Sequence, residues 1–128
     1  NDLQAHHGKT AEQIAAHVDT LVKIALSEDF QSRHGGFQTL LICPPPVLAA
    51  GVFAADFADA VAPSRALALL YAHHAQKRGV HFLDAGAHIQ SSPIDGIHFD
   101  QAAHDILGHA VSDYIGTNQT SKVAKTGA

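Results

Sequence analysis

The chain has 128 residues, enough for one small domain and too few for two. Hydrophobic residues make up 46% of the sequence and charged residues 16%, which is typical of a globular protein. The formal net charge of -4 gives no electrostatic reason to expect nucleic acid or an anionic membrane as a partner. No apolar run is long enough to span a bilayer, so we expect neither kind of partner.

Cysteine and methionine usage also constrain the interpretation. Cys43 is the only cysteine, so no intrachain disulfide can form; this fits a reducing compartment, and we expect a cytoplasmic protein. Cys43 ends an apolar run, which favours a buried structural thiol over a nucleophile. The chain has no methionine and begins with Asn1 and Asp2, so we expect it to be part of a longer protein.

The first part of the chain predicts a helix, a loop and a strand. Thr10 and Gln13 form a capping-box pattern, and apolar residues then recur at helical spacing to about Ser27. The glycine-containing segment 30–38 predicts a loop. Residues 39–43 are continuously apolar apart from the first, which suits a strand buried on both faces of a parallel sheet. Three prolines follow and end this strand.

The second part continues the alternation of helices and strands. Its first predicted elements are a loop (47–63) with one helical turn around 54–60, and a helix capped by Ser64 and closed by Gly79. A strand (80–84), a loop (85–99), and a helix that is capped by Asp100 and ends near Ile115 follow. This order predicts an α/β layered fold with a parallel sheet. Two strands alone make a poor sheet, so we expect the chain to supply part of a larger one.

Asp95 and His98 are the residues best suited to carry chemistry. They lie three positions apart on a loop that precedes a capped helix. A general base needs a second group that orients its ring and stabilises the imidazolium, and a nearby aspartate can do both. The second ring nitrogen of His98 would then face a nucleophile elsewhere in the fold. The same short pattern also arises by chance, with Asp95 as a turn residue and His98 as a surface histidine.

Four stretches of the sequence resemble the SGNH (GDSL) hydrolase family, in particular its bacterial arylesterase and acyltransferase branch. The segment 95–100, with the helix after it, resembles block V, which contains the D-x-x-H of the catalytic triad. Asn1 and Asp2 resemble the end of block III, G-x-N-D. Residues 41–46 resemble a strand of the family and its proline turn, and residues 81–86 resemble its last strand. The resemblance extends from Asn1 to about Ile115.

This resemblance implies both a fold and a set of residue roles. The fold would be a three-layer α/β/α sandwich of the flavodoxin-like type, incomplete here. Residues 1–117 would form its C-terminal portion and 118–128 a polar tail. The resemblance implies that His98 is the general base, that Asp95 orients it, and that Asn1 donates its side-chain amide to the oxyanion hole. It implies no cofactor and no metal.

The nucleophile of the family has no counterpart in this chain. The G-D-S block and the block that contributes a backbone N–H donor are both absent from the sequence. Ser64 and Ser112 lie in helical segments without a strand-turn-helix elbow, and Ser91 and Ser92 share a loop with the candidate base. We therefore expect the nucleophilic serine upstream of Asn1.

The leading hypothesis is a serine esterase that hydrolyses small carboxylic esters through an acyl-enzyme, with acyl transfer to alcohols as a further activity. Its partner would be a small ester, and self-association into a homo-oligomer stays open. The alternative is a catalytically inactive α/β fragment or binding module that lacks the nucleophile. Eleven histidines raise a third hypothesis, a metal-dependent hydrolase that uses Asp95, His98 and Asp100, although no H-E-x-x-H motif is present.

Overall fold

The computed structural model of the chain describes residues 1–123. In this part of the chain the helices and strands follow one another in the order α1 (Ala11–Ala25), α2 (Glu28–Arg33), β1 (Leu40–Cys43), α3 (Val61–Arg78), β2 (His81–Asp84) and α4 (Gln101–Val123). Two 3-10 turns, at Ala5–His7 and Ala85–Ala87, lie in the connecting loops. No helix within the described residues is long and apolar enough to cross a membrane.

The two strands form a small parallel sheet. Leu40 pairs with His81 at one end of the register, and Cys43 pairs with Asp84 at the other. Parallel neighbours need a crossover connection, which α3 provides. Gly79 ends α3 in the left-handed conformation, with φ of 67°, and returns the chain to the sheet as predicted. The prediction of an α/β fold with a parallel sheet is confirmed.

Helices α1 and α3 cover one face of the sheet. The Thr10 hydroxyl accepts from the Gln13 N–H at 3.2 Å while the Gln13 side chain accepts from the Thr10 N–H at 2.9 Å, so the predicted capping box is present. Ile14 from α1 and Tyr71 from α3 are buried in one cluster with Cys43 of β1. The side chains between the two helices and this face of the sheet therefore form the main hydrophobic core.

On the opposite face of the sheet, β2 is buried but β1 is partly exposed. Leu83 of β2 is buried, and Ala103 of α4 packs with residues that follow β2. Ile42, the partner of Leu83 in the register, is 37% exposed. The prediction that β1 is buried on both faces is therefore wrong for this chain, because α4 lies on the β2 side of the sheet.

The predicted loop at 30–38 begins with a helix instead. The Ser27 hydroxyl caps α2 by accepting from the Phe30 N–H at 3.3 Å, and acidic side chains in its first turn suit the positive end of the helix. Gly35 and Gly36, both with φ of 74°, lie beyond its end. The Ser27 cap stabilises this helix, although the residues after the cap have a composition typical of a loop.

The start of α3 also differs from the prediction. Ser64 is not its N-cap, because the helix begins at Val61. Pro63 is accommodated because its missing N–H is not needed in a first helical turn. The Ser64 hydroxyl donates to the Val61 carbonyl at 2.8 Å and accepts from the Val47 N–H at 3.1 Å. The helical turn predicted within 54–60 is a series of non-helical turns.

The last helix is longer than predicted. The Asp100 carboxylate accepts from the Ala103 N–H at 2.8 Å, which confirms the predicted cap. The end predicted near Ile115 is wrong, since α4 continues to Val123. The first part of the predicted tail (118–128) is therefore helical, and its remaining residues lie outside the described part of the chain.

A buried ion pair joins α1 to α3. Asp19 is 6% exposed, and its carboxylate accepts from Arg78 Nε at 2.7 Å and from Arg78 Nη2 at 2.8 Å. The Arg78 guanidinium lowers the pKa of Asp19, an effect to which Lys23 also contributes. Two parallel hydrogen bonds fix the relative position of the two helices.

We expect Arg78→Met to lower the melting temperature by several degrees, because it leaves the buried Asp19 carboxylate without its bidentate partner. Lys23→Met is the matched control, since Lys23 also contacts Asp19 but its side chain is 53% exposed and screened by water. Thermal unfolding followed by circular dichroism measures both variants. Equal effects of the two substitutions would contradict this account of the ion pair.

Candidate active site

The candidate site lies in the loops that follow the two strands. The first loop extends from Pro44 to Ala60, and the second from Ala85 to Asp100. Because β1 and β2 are parallel, both loops leave the sheet at its carboxyl edge. Open α/β sheets bind ligands at this edge.

Asp95 and His98 form a hydrogen-bonded pair within the second loop. The Asp95 Oδ2 atom lies 2.8 Å from His98 Nδ1. The other carboxylate oxygen, Oδ1, accepts from the backbone N–H groups of Ile97 and His98, each at 2.9 Å. The carboxylate is therefore held by three hydrogen bonds, one of which orients the imidazole ring.

The two side chains differ in exposure. Asp95 is 17% exposed and His98 is 71% exposed. With the carboxylate accepting from Nδ1–H, the neutral ring carries its lone pair on Nε2, for which no described residue is a hydrogen-bond partner. His98 can thus accept a proton from a group that approaches from outside this loop.

The hydrogen bonds also determine the charge state of Asp95. The N–H groups of Ile97 and His98, followed by the His98 ring, lower the pKa of Asp95 to about 2 from an ordinary value of 3.8. Each of these donors favours the ionised carboxylate. At neutral pH Asp95 is therefore an ionised carboxylate, as the orienting partner of a general base requires.

The first loop lies against the second loop and contributes residues to the site that the sequence did not indicate. Leu48 N–H donates to the Gly96 carbonyl at 2.9 Å, and Val52 N–H donates to the Ile94 carbonyl at 3.3 Å. The Phe53 ring contacts the His98 ring edge-on, with centroids 6.1 Å apart. Nothing in the local sequence pairs these residues, because the contacts join positions far apart in the chain.

The first residues of the chain approach the same loops. Ala5 N–H donates to the Asp56 carbonyl at 2.8 Å. Leu3 packs on a small cluster of residues from the first loop and α3, and Ile97, the neighbour of His98, packs on the same cluster. The segment that begins with the exposed Asn1 thus lies against the same cluster as the residue before His98.

The serine and cysteine side chains near the site have structural contacts. The Ser91 hydroxyl donates to the Pro46 carbonyl at 3.1 Å, and the Ser92 hydroxyl accepts from the Ile94 N–H at 3.2 Å. Both serines are buried. Cys43 is fully buried, as predicted, and burial, with the charge of Asp84 nearby, raises the pKa of its thiol to about 12.

The histidines do not form a metal-binding cluster in the described structure. Within residues 1–123, no three side chains of the His, Cys, Asp or Glu type are grouped closely enough to hold a metal ion. His6 and His7 stack on each other with ring centroids 4.0 Å apart and are exposed. His81 contacts Tyr114 and Gln38 at the opposite edge of the sheet from the candidate site.

Solved structures similar to this chain are esterases. The native aryl esterase of M. smegmatis superposes with a TM-score of 0.84 at 28% sequence identity, over 91% of this chain and 56% of that one. Est24, a carbohydrate acetylesterase from Sinorhizobium meliloti, gives the same values. The inhibitor-bound form of the M. smegmatis aryl esterase gives a TM-score of 0.82 at 29% identity. No protein-family model matches the sequence, and neither does any curated protein.

These neighbours confirm the resemblance to the SGNH hydrolase family and the incomplete flavodoxin-like fold that it implied. The fold is similar to that of solved SGNH-type esterases. The chain is similar to members of that class over nearly all of its own length, but it spans only about half the length of the solved relatives.

The lowered pKa of Asp95 predicts how the stability of the fold depends on pH in acid. A carboxyl group with a depressed folded-state pKa stabilises the fold above its unfolded pKa, and the contribution disappears as pH falls through the folded value. We therefore expect Asp95→Asn to lower the melting temperature at neutral pH. The difference from the wild type should shrink as pH falls from about 4 to about 2.

Thermal unfolding measured across this pH range checks the prediction. Asp29→Asn is the control, because Asp29 also pairs with a neighbouring side chain but is 73% exposed. Its melting temperature should follow that of the wild type at every pH. A constant difference between wild type and Asp95→Asn down to pH of about 2 would contradict the assignment.

Proposed function

We propose that the chain supplies the acid–base part of a serine esterase. The observation that supports this most directly is the 2.8 Å contact between Asp95 Oδ2 and His98 Nδ1 in a chain similar to solved esterases. The nucleophilic serine is proposed to lie upstream of Asn1, in the part of the protein that the chain does not include.

In the proposed reaction, His98 Nε2 takes the proton from the serine hydroxyl as its oxygen attacks the ester carbonyl. The ionised Asp95 carboxylate holds the ring and stabilises the imidazolium that forms. His98 then returns the proton to the leaving alcohol, which gives an acyl-enzyme. Water activated by the same nitrogen releases the carboxylic acid. An alcohol in place of water would give acyl transfer.

The tetrahedral intermediate carries a negative oxygen that needs hydrogen-bond donors. We propose that the Asn1 side-chain amide is one of them, and a donor of this kind contributes on the order of 3 kcal/mol to the transition state. The packing of Leu3 and Ile97 on one cluster supports this role, because it brings the Asn1 segment and the His98 loop to the same end of the fold.

The proposed substrates are small carboxylic esters. The solved neighbours are described as an aryl esterase and a carbohydrate acetylesterase, so short acyl esters of phenols and acetylated sugars are the first substrates to test. The reaction as proposed needs no metal and no cofactor, since the acid, the base and the nucleophile are all side chains.

The proposal predicts that His98→Ala abolishes ester hydrolysis by the protein produced from its complete reading frame, without unfolding it. The His98 side chain is 71% exposed, so its removal costs little packing. Asp95→Asn should lower kcat by roughly 100-fold to 10,000-fold, because it removes the group that orients the base. Hydrolysis of p-nitrophenyl acetate measures both rates, and circular dichroism checks the fold.

His109→Ala is the matched control, since His109 is another exposed histidine, on α4. It should retain wild-type turnover. Unchanged turnover in folded His98→Ala would refute the role of His98 as the base. Equal losses in the His98 and His109 variants would show that the effect is not specific to the acid–base pair.

A further inference from the structure

Two glycines allow the backbones of the two site loops to come into direct contact. Gly51, in the first loop, has φ of +80°, and a Cβ atom added to it would lie 2.5 Å from the Asp95 Cα and 2.6 Å from the Asp95 nitrogen. Gly96, in the second loop, has φ of +82°, and its Cβ would lie 2.6 Å from the carbonyl oxygens of Leu48 and Ala50. Each glycine therefore leaves room for the backbone of the opposite loop.

Hydrogen bonds hold the loops together on both sides of this contact. Leu48 N–H donates to the Gly96 carbonyl at 2.9 Å, and Val52 N–H donates to the Ile94 carbonyl at 3.3 Å. The two accepting residues flank Asp95 in the sequence. We name residues 48–52 together with residues 94–96 the glycine clamp. The backbone of Asp95 is fixed by this clamp rather than by its own loop alone.

The position of the Asp95 backbone matters because the carboxylate has little freedom of its own. One oxygen accepts from two N–H groups at 2.9 Å, and the other lies 2.8 Å from the His98 ring. A shift of the Asp95 Cα would lengthen some of these bonds. Phe53 directly follows the first-loop part of the clamp, and its ring contacts the His98 ring.

We propose that Gly51 is a positioning residue for the acid–base pair, which acts by letting the first loop hold the Asp95 backbone where its carboxylate can orient His98. This inference rests on the proposed function for its effect on turnover. Its effect on the Asp95 carboxyl group itself is independent of the proposed reaction.

The test is Gly51→Ala in the protein produced from its complete reading frame. The added methyl group must displace the Asp95 backbone, since the atoms in its way belong to main chain. Gly36→Ala is the matched control, because Gly36 has a similar positive φ of +74° and nothing within 4 Å of the added Cβ. Both variants carry the strain of a left-handed alanine, but only the first disturbs Asp95.

Two readouts distinguish positioning from a general loss of stability. Carbon-13 NMR titration of labelled aspartate should show the pKa of Asp95 rising from about 2 towards 3.8 in Gly51→Ala and staying low in Gly36→Ala. For ester hydrolysis, kcat should fall on the order of 100-fold with KM nearly unchanged, because the base is misplaced while the substrate contacts remain.

Ser91→Ala provides a second variant if Gly51→Ala does not fold. It removes the hydrogen bond from the Ser91 hydroxyl to the Pro46 carbonyl, which also ties the two loops, and it introduces no steric overlap. Its effect on the Asp95 titration and on kcat should have the same direction and a smaller size. A wild-type titration and kcat in Ser91→Ala would then count against the proposal that the first loop holds Asp95 in position.

The outcomes separate the inference from the proposed function. A folded Gly51→Ala variant with the wild-type Asp95 titration and wild-type kcat overturns the positioning role. A shifted Asp95 titration in Gly51→Ala supports the clamp even if the wild-type protein hydrolyses no ester, in which case the proposed function fails by itself. Equal shifts in Gly51→Ala and Gly36→Ala would also overturn the inference, since Gly36 is not part of the clamp.

Discussion

The Asp95 carboxylate accepts three hydrogen bonds from its own loop, and the remainder of the candidate site depends on that arrangement. Two of the donors are backbone N–H groups, so the carboxylate is tied to the main chain before it contacts the His98 ring. The loop after β1 supports this main chain through backbone hydrogen bonds and through the close approach that Gly51 permits. An exposed imidazole can therefore be oriented without being buried.

The parallel sheet explains why residues from distant parts of the chain meet at this point. The connections after β1 and β2 emerge at the same edge, and the first residues of the chain are joined to one of them by hydrogen bonding and packing. Within the described residues the sheet has two strands, and Ile42 on β1 is partly open to solvent. The chain spans about half the length of solved esterases with the same fold, in keeping with a proposal that divides the catalytic residues between this chain and a further segment.

Elements with strong local signals could be predicted from the sequence. The capping box at Thr10, the left-handed Gly79 and the cap at Asp100 each act through neighbouring residues, so the sequence was sufficient to indicate them. The sequence did not predict the helix after Ser27, because the composition of residues 30–38 is typical of a loop. The contact of Asp95 with His98 was indicated by their spacing together with the resemblance to the SGNH family, whereas the contact of Gly51 with Asp95 depends on tertiary structure. No periodicity or local motif could have indicated it.

The most direct test of the central claim is covalent labelling of the protein produced from its complete reading frame with a serine-reactive alkyl phosphonate, followed by peptide mass mapping. The account predicts one phosphonylated serine, upstream of Asn1, and loss of that label in His98→Ala, because the proposed base activates the nucleophile. Absence of any label would favour a non-catalytic α/β module. A label on a serine within residues 1–128 would contradict the division of the triad proposed for this chain.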